Sequence, residues 1–211
     1  MTAFWWRLEM TLSDLKKKLS ELARDFKDEN PNVWDIFLYG SAVKGKESPN
    51  DIDIAVILTE GNPFEVAFRF KTALEDRGFS PEELDVKGFL MKELFSENNL
   101  MSFALLVEGY SLTKNEFLHE VLNAKGYTLF RFSYSGLTGS KKVRFIYSLR
   151  GRKGQGGVLQ KLNAVELAAG VILVPVNATF EFKEFLSRWG IEYEYAPLIM
   201  GEFSREMPSP G

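Results

Sequence analysis

Two short apolar runs, joined by a glycine-serine step and a polar loop, constrain this chain more than any other feature. Residues 33–39 are apolar and aromatic-rich and short enough for a buried strand, and Gly40 and Ser41 end the run. A loop over residues 43–50, carrying Gly45, Pro49 and Asn50, leads into Ile52, Ile54, Val56 and Leu58, which alternate with Asp51, Asp53 and Ala55. A period of two places both aspartates on one face of a strand, roughly 6 to 7 Å apart at the backbone. Two acids set among isoleucines and valines on a central strand repel one another unless a cation or hydrogen-bond donors compensate.

The flanking sequence supplies a frame for these strands. Leu12, Leu15, Leu19, Leu22 and Phe26 recur at three- and four-residue steps and predict a core-facing helix that begins near Thr11 or Ser13. Asn62 and Pro63 form an N-cap and first position for a second helix carrying Val66, Phe70 and Leu74, with Gly78 as its stop. Residues 84–90 alternate imperfectly, as a short strand, and mainly helical patterns follow over residues 91–121. In the second half, residues 129–134 and 143–148 read as strands. A glycine-rich loop over residues 150–157 follows, then a helix over 158–169, a strand over 171–176, a helical stripe of Phe182, Phe185, Leu186 and Trp189 ended by Gly190, and a strand over 191–195. The pattern is α/β (α+β). It divides into a first domain over residues 1–122 and a smaller basic α/β domain over 123–211, on a charge shift and Gly126. Pro208, Ser209, Pro210 and Gly211 read as a loose tail.

Composition narrows the chemistry. With 211 residues, 45% of them hydrophobic, the chain is long enough for one large or two small cores. It has no cysteine, which removes disulfides, thiolate nucleophiles and cysteine-ligated metal sites. His119 is the one imidazole, so a zinc site does not fit. A lone histidine near a helix end reads as structural or exposed, and a metal here would be magnesium or manganese held by carboxylates. The Phe4, Trp5, Trp6 cluster is interrupted by Arg7 and Glu9, and no apolar run reaches about 18 residues, so neither a membrane span nor a signal peptide is expected. The expected location is cytoplasmic.

The net charge of −3 hides an asymmetry. Between Val121 and Val165 there is no acid, but nine basic residues: Lys125, Arg131, Lys141, Lys142, Arg144, Arg150, Arg152, Lys153 and Lys161. Tyr134, Phe145 and Tyr147 lie among them. Such a surface contacts nucleic acid through phosphates and stacking, or is simply solvated. The loop over 150–157 lacks the Gly-Lys-Ser/Thr ending of a Walker loop and the spacing of a dinucleotide fingerprint.

Metal-dependent phosphoryl or nucleotidyl transfer needs carboxylates that converge on cations and donors that hold a triphosphate. Asp51 and Asp53 supply the first. Gly40 permits close backbone approach to a phosphate, Ser41 offers a hydroxyl and an amide, and Lys44 lies near enough to join them. Ser41 also reads as a helix cap.

Gly40-Ser41, nine intervening residues and Asp51-Ile52-Asp53 between hydrophobic strands resemble the polymerase-beta-like nucleotidyltransferases, in particular their minimal branch, over roughly residues 12–112. The resemblance implies a mixed sheet flanked by helices, Mg2+ (or Mn2+) ions held by Asp51 and Asp53, and transfer of a nucleoside monophosphate from a nucleoside triphosphate to a hydroxyl with release of pyrophosphate. It also implies a third carboxylate on a later strand. Asp85 is in the right kind of place, with Asp76, Glu82 and Glu83 as local competitors, and would help remove the acceptor proton. The chain departs from the pattern in carrying Lys44 before Gly45, where many minimal members have arginine, and Asn50 before the aspartates, where serine is frequent. The acceptor stays open between a nucleic-acid end, a protein hydroxyl and a small molecule, with Lys141, Lys142, Arg144, Arg150, Arg152 and Lys153 as the docking candidates. Two other functions stay open beside the enzyme: a nucleic-acid-binding protein that uses the fold as a scaffold, and a nucleotide-sensing module.

Overall fold

A computed structural model describes residues 11–46, 49, 51–94, 96, 100–152 and 154–201. The N-terminal aromatic cluster, Asn50, Lys153 and the proline-rich end lie outside the described residues. Helix α1 (Leu12–Glu29) starts at Thr11, whose hydroxyl accepts from the Asp14 amide while the Asp14 carboxylate accepts from the Thr11 amide. Two amides that the first turn would otherwise leave open are thereby satisfied. Leu15, Leu19 and Leu22 of the stripe are buried, Leu12 partly so, and Phe26 meets Phe70 edge-on, with ring centroids 4.9 Å apart.

Strands β1 (Val33–Tyr39) and β2 (Ile52–Leu58) pair antiparallel. Helix α2 (Pro63–Asp76) is capped by Asn62, which accepts from the amides of Phe64 and Glu65. It carries the chain over to β3 (Leu84–Leu90), which runs parallel to β2, as such a crossover allows. Helices α1 and α2 cover one face of the sheet, where Ile36, Leu38, Ile52, Ile54 and Val56 are buried.

The helical reading of residues 91–121 holds only in part. Helices α3 (Met91–Leu94) and α4 (Leu100–Glu108) are followed by two-residue strands β4 (Tyr110–Ser111) and β5 (Glu116–Phe117) before helix α5 (Leu118–Val121). The cause is Asp35. Its fully buried carboxylate accepts from Ser111 Oγ at 3.0 Å and Thr113 Oγ1 at 2.6 Å, with Lys114 Nζ at 3.5 Å, and so ties this turn to β1. The resulting mixed sheet has the order β3-β2-β1-β4-β5. Phe37, Ala55 and Ile57 pack on its other face with Leu94 and Leu105.

A second, antiparallel sheet of order β11-β6-β10-β9 follows. The chain here runs through β6 (Ala124–Phe132), helix α6 (Gly139–Arg150), the separate two-stranded hairpin of β7 (Gly151–Arg152) and β8 (Gln155–Gly156), and helix α7 (Val158–Lys161). The rest is β9 (Val165–Ala168), β10 (Val171–Pro175), helix α8 (Thr179–Arg188) and β11 (Tyr193–Gly201). Its core is largely aromatic, with Phe130, Phe132, Phe145, Phe182 and Phe185 buried together. Helix α4 touches β1 of the first sheet and both β6 and β11 of the second. Among the described residues no helix is long and apolar enough to cross a membrane.

Three sequence readings are corrected here. Residues 143–148 lie in α6, not in a strand: the apparent alternation of Val143, Phe145 and Tyr147 is one turn of a helix that buries Phe145 and Leu149 four residues apart and leaves Val143 and Tyr147 exposed. The helix expected over 158–169 stops at Lys161. Asn163 takes φ +52°, a left-handed turn that asparagine tolerates, and Val165–Ala168 then pairs with β10 as an edge strand. The last strand begins at Tyr193 rather than Ile191 and runs to Gly201.

Candidate active site

The register of the first sheet sets three side chains in a row. Tyr39 is opposite Asp53 across the antiparallel β1–β2 pair, and Asp53 is beside Asp85 across the parallel β2–β3 pair. Neighbouring strands lie about 4.8 Å apart, so the two carboxylates project from adjacent backbones on the same face. Asp51 precedes β2 by one residue and is exposed, while Asp53 is half-buried. Ile52 and Ile54 on either side of Asp53 are buried in the opposite core and hold the strand in place.

Burial first, then the neighbouring charges of Asp51 and Asp85, push the Asp53 carboxyl up to about 6. Burial likewise pushes the Tyr39 hydroxyl up to about 12, with Lys87 opposing and Asp53 and Asp85 adding to the effect. The Lys87 ammonium is held above its usual range, chiefly by its hydrogen bond to Asp85. Burial and like charge thus both work against the ionised form of Asp53, and Lys87 and Lys44 oppose them.

The turn after β1 closes over this row. Gly40 has φ +74°, a left-handed conformation, and a Cβ there would collide with the Asp53 carboxylate. Residues 41–45 form turns rather than a helix, so Ser41 caps no helix. Its Oγ is buried and, among the described residues, makes no hydrogen bond. A buried hydroxyl in that state costs free energy unless a ligand oxygen or water meets it. Gly45, at φ +87°, abuts the carbonyl of Asn177, and the Phe180 amide donates to the Lys44 carbonyl at 3.0 Å, so the second half of the chain braces the turn.

Lys44 is not turned outward for a phosphate. Its Nζ is ion-paired with Glu108 at the end of α4, 3.0 Å from Oε2 and 3.1 Å from Oε1. Asp85 is ion-paired too, its Oδ2 lying 2.6 Å from Lys87 Nζ. Among the described residues no three acidic or histidine side chains are grouped as a ready cage for a metal ion. The three aspartates are neighbours in the fold, and Asp85 is engaged elsewhere.

Sequence reading missed Tyr39, Lys87 and Glu108. Lys87 had a signal, since the residue two after Asp85 on a strand shares its face. Glu108 had none, because its partner lies 64 residues away in the chain.

His119 is buried. Its Nδ1 sits 3.0 Å from the Val107 carbonyl, and its ring stacks on Phe117 with centroids 5.0 Å apart. Burial lowers its affinity for a proton, against the Val107 carbonyl, in keeping with a structural ring.

The basic segment is less uniform than its sequence. Arg131 pairs with Glu194, Arg150 with Glu166 at 2.6 Å, and Lys161 with Glu181 at 2.6 Å. Acids from outside the segment fold back onto it. Lys141 and Arg144 are exposed on α6, Lys142 lies 5.9 Å from the Tyr134 ring centre, and the Arg152 guanidinium lies 4.9 Å from that of Tyr147.

Residues 17–108 match the family model described as Polymerase beta, Nucleotidyltransferase. The match begins within α1 and ends with α4, so it contains Gly40, Ser41, Asp51, Asp53 and Asp85. Comparison with curated proteins gives no match.

Proposed function

We propose that the chain, whose residues 17–108 match the polymerase beta nucleotidyltransferase family model, transfers a nucleoside monophosphate from a nucleoside triphosphate to a hydroxyl acceptor and releases pyrophosphate. The observation that carries this reading is the in-register pair Asp53 and Asp85 beside the Gly40–Ser41 turn. The Asp53 carboxyl, pushed up to about 6, lies against Gly40, and the next residue of the turn is Ser41, whose buried hydroxyl makes no hydrogen bond among the described residues.

These residues fit a hard divalent cation in the chemistry of their donors, because carboxylate oxygens are what Mg2+ and Mn2+ prefer. Asp51, Asp53 and Asp85 would hold it. Such a cation makes an acceptor hydroxyl more acidic and neutralises charge on the departing pyrophosphate. Ser41 Oγ and the Gly40–Ser41 amides donate to the triphosphate oxygens. Asp85 Oδ accepts the acceptor's proton, which places the acceptor on the β3 side of the row. Tyr39, kept protonated by its burial, closes the other side of Asp53. Residues 123–211 make up a second unit whose exposed Lys141, Arg144 and Arg152 offer the acceptor a docking surface, with nucleic acid as the acceptor class that such a surface suits.

The experiment is label transfer from each of the four triphosphates with Mg2+, repeated with Asp51→Asn and Asp53→Asn. Loss of transfer in both variants, with the fold retained by circular dichroism, supports the site. Transfer that survives both substitutions removes it.

A further inference from the structure

Lys87 has no part in the reaction as drawn, yet it occupies the site. Asp85 and Lys87 are two residues apart on β3 and therefore share the face that carries Asp53. Lys87 stands beside Ala55 in the sheet register, next to the row of Asp53 and Asp85. Its Nζ is 2.6 Å from Asp85 Oδ2, with 50% of the lysine side chain and 42% of the aspartate side chain exposed. A carboxylate oxygen that holds an ammonium this closely does not at the same time hold a divalent cation, because the two positive charges repel at contact distance. An ion pair this exposed is weak enough to be exchanged.

Resting on the reading of Asp51, Asp53 and Asp85 as a metal site, we propose that Lys87 is a resident counter-ion of Asp85, exchanged for the divalent cation when the metal-bound nucleotide enters. The freed ammonium, on a flexible four-carbon stem, then turns to the triphosphate oxygens. Of the two lysines beside Asp53, Lys44 is committed to Glu108 and through its carbonyl to Phe180, which leaves Lys87 as the one able to move. The consequence is coupling. The ammonium opposes binding of the metal alone and favours binding of the metal together with nucleotide, so Asp85 stays neutralised between turnovers and the carboxylates gather only when substrate brings its own negative charge.

The test is Mn2+ binding, followed by electron paramagnetic resonance and calorimetry, on the full chain and on Lys87→Met and Lys87→Arg. Without nucleotide, Lys87→Met should bind Mn2+ about fivefold tighter than the parent, and it should bind a Mg2+-complexed non-hydrolysable triphosphate about fivefold more weakly. Lys87→Arg, which keeps the charge, should stay near the parent in both. A purely structural role would not move the two affinities in opposite directions. Mn2+ affinity unchanged or weakened in Lys87→Met overturns the exchange. If the parent binds no Mn2+, or if Asp51→Asn and Asp53→Asn bind it as well as the parent does, the metal-site reading itself fails, and that result is distinct from the first.

Discussion

Gly40 and Asp53 fit against one another so closely that no side chain larger than hydrogen is accommodated at residue 40. The glycine adopts φ +74°, and the space its Cβ would take is filled by the Asp53 carboxylate. The glycine thus serves two ends. It turns the chain sharply after β1, and it lets Asp53 lie flat against the turn that carries Ser41.

Gly40→Ala should therefore damage activity more than stability. The left-handed backbone costs an alanine about 1 kcal/mol, which a thermal melt would register as a modest drop. Displacing the Asp53 carboxylate by about 1 Å should lower kcat/KM of nucleotidyl transfer by about 100-fold. A variant with nearly parental activity would mean that Asp53 is not held in its working position by Gly40.

Asp53 should cost the fold stability at neutral pH. Its folded pKa, raised from 3.8 to about 6, means that the folded state binds this proton more tightly than the unfolded chain does. The benefit of the protonated form is complete below 3.8 and is lost as pH rises through about 6. Discounted for solvent screening of a half-buried group, Asp53→Asn should gain about 1 kcal/mol at pH 7.5, or about 2 to 4 °C in Tm. At pH 4 the gain should nearly vanish. A melt showing the same gain at both pH values would place its origin in something other than charge.

Why the strands of the candidate site were legible and the second half less so follows from what each depends on. Gly40, Ser41, Asp51 and Asp53 lie within one strand-turn-strand unit, so local pattern and spacing place them together. Asp85 follows the crossover helix, and its register against Asp53 is a matter of the β2–β3 pairing that alternation alone leaves free. In α6 the aromatic positions mimic strand alternation locally, and only burial of Phe145 and Leu149 against the second sheet decides for helix. The basic run misleads for a different reason: Glu166, Glu181 and Glu194, which neutralise part of it, come from outside the run.

The Lys44–Glu108 pair predicts a release. With the two side chains 30% and 15% exposed, Glu108 draws the lysine away from the turn that holds Ser41. Glu108→Gln should free the ammonium and tighten triphosphate binding by about two- to fivefold, whereas Lys44→Met, which removes an ammonium already committed to Glu108, should change it little. The double variant should resemble Lys44→Met alone, because the effect of the glutamate passes through the lysine. Calorimetry with a non-hydrolysable triphosphate measures all three. Tightening by Glu108→Gln that persists in the double variant would assign the glutamate an effect of its own.

The ion pairs of the second half sort its basic residues into two sets for nucleic-acid contact. Arg131, Arg150 and Lys161 are paired with acids, while Lys141 and Arg144 are exposed on α6 and Arg152 lies by Tyr147 on the adjoining hairpin. A phosphate that binds a cation already paired must first displace a carboxylate, so the second set should dominate. With a short single strand, the triple variant Lys141→Ala, Arg144→Ala, Arg152→Ala should lower the slope of log affinity against log salt by about 2, at about 0.7 per phosphate contact. The corresponding change at Arg131, Arg150 and Lys161 should leave the slope nearly unaltered and lower the melting temperature slightly instead. Equal slope losses in the two variants would show that the strand does not follow α6 and its hairpin, and would return the docking surface to the chain's other cations.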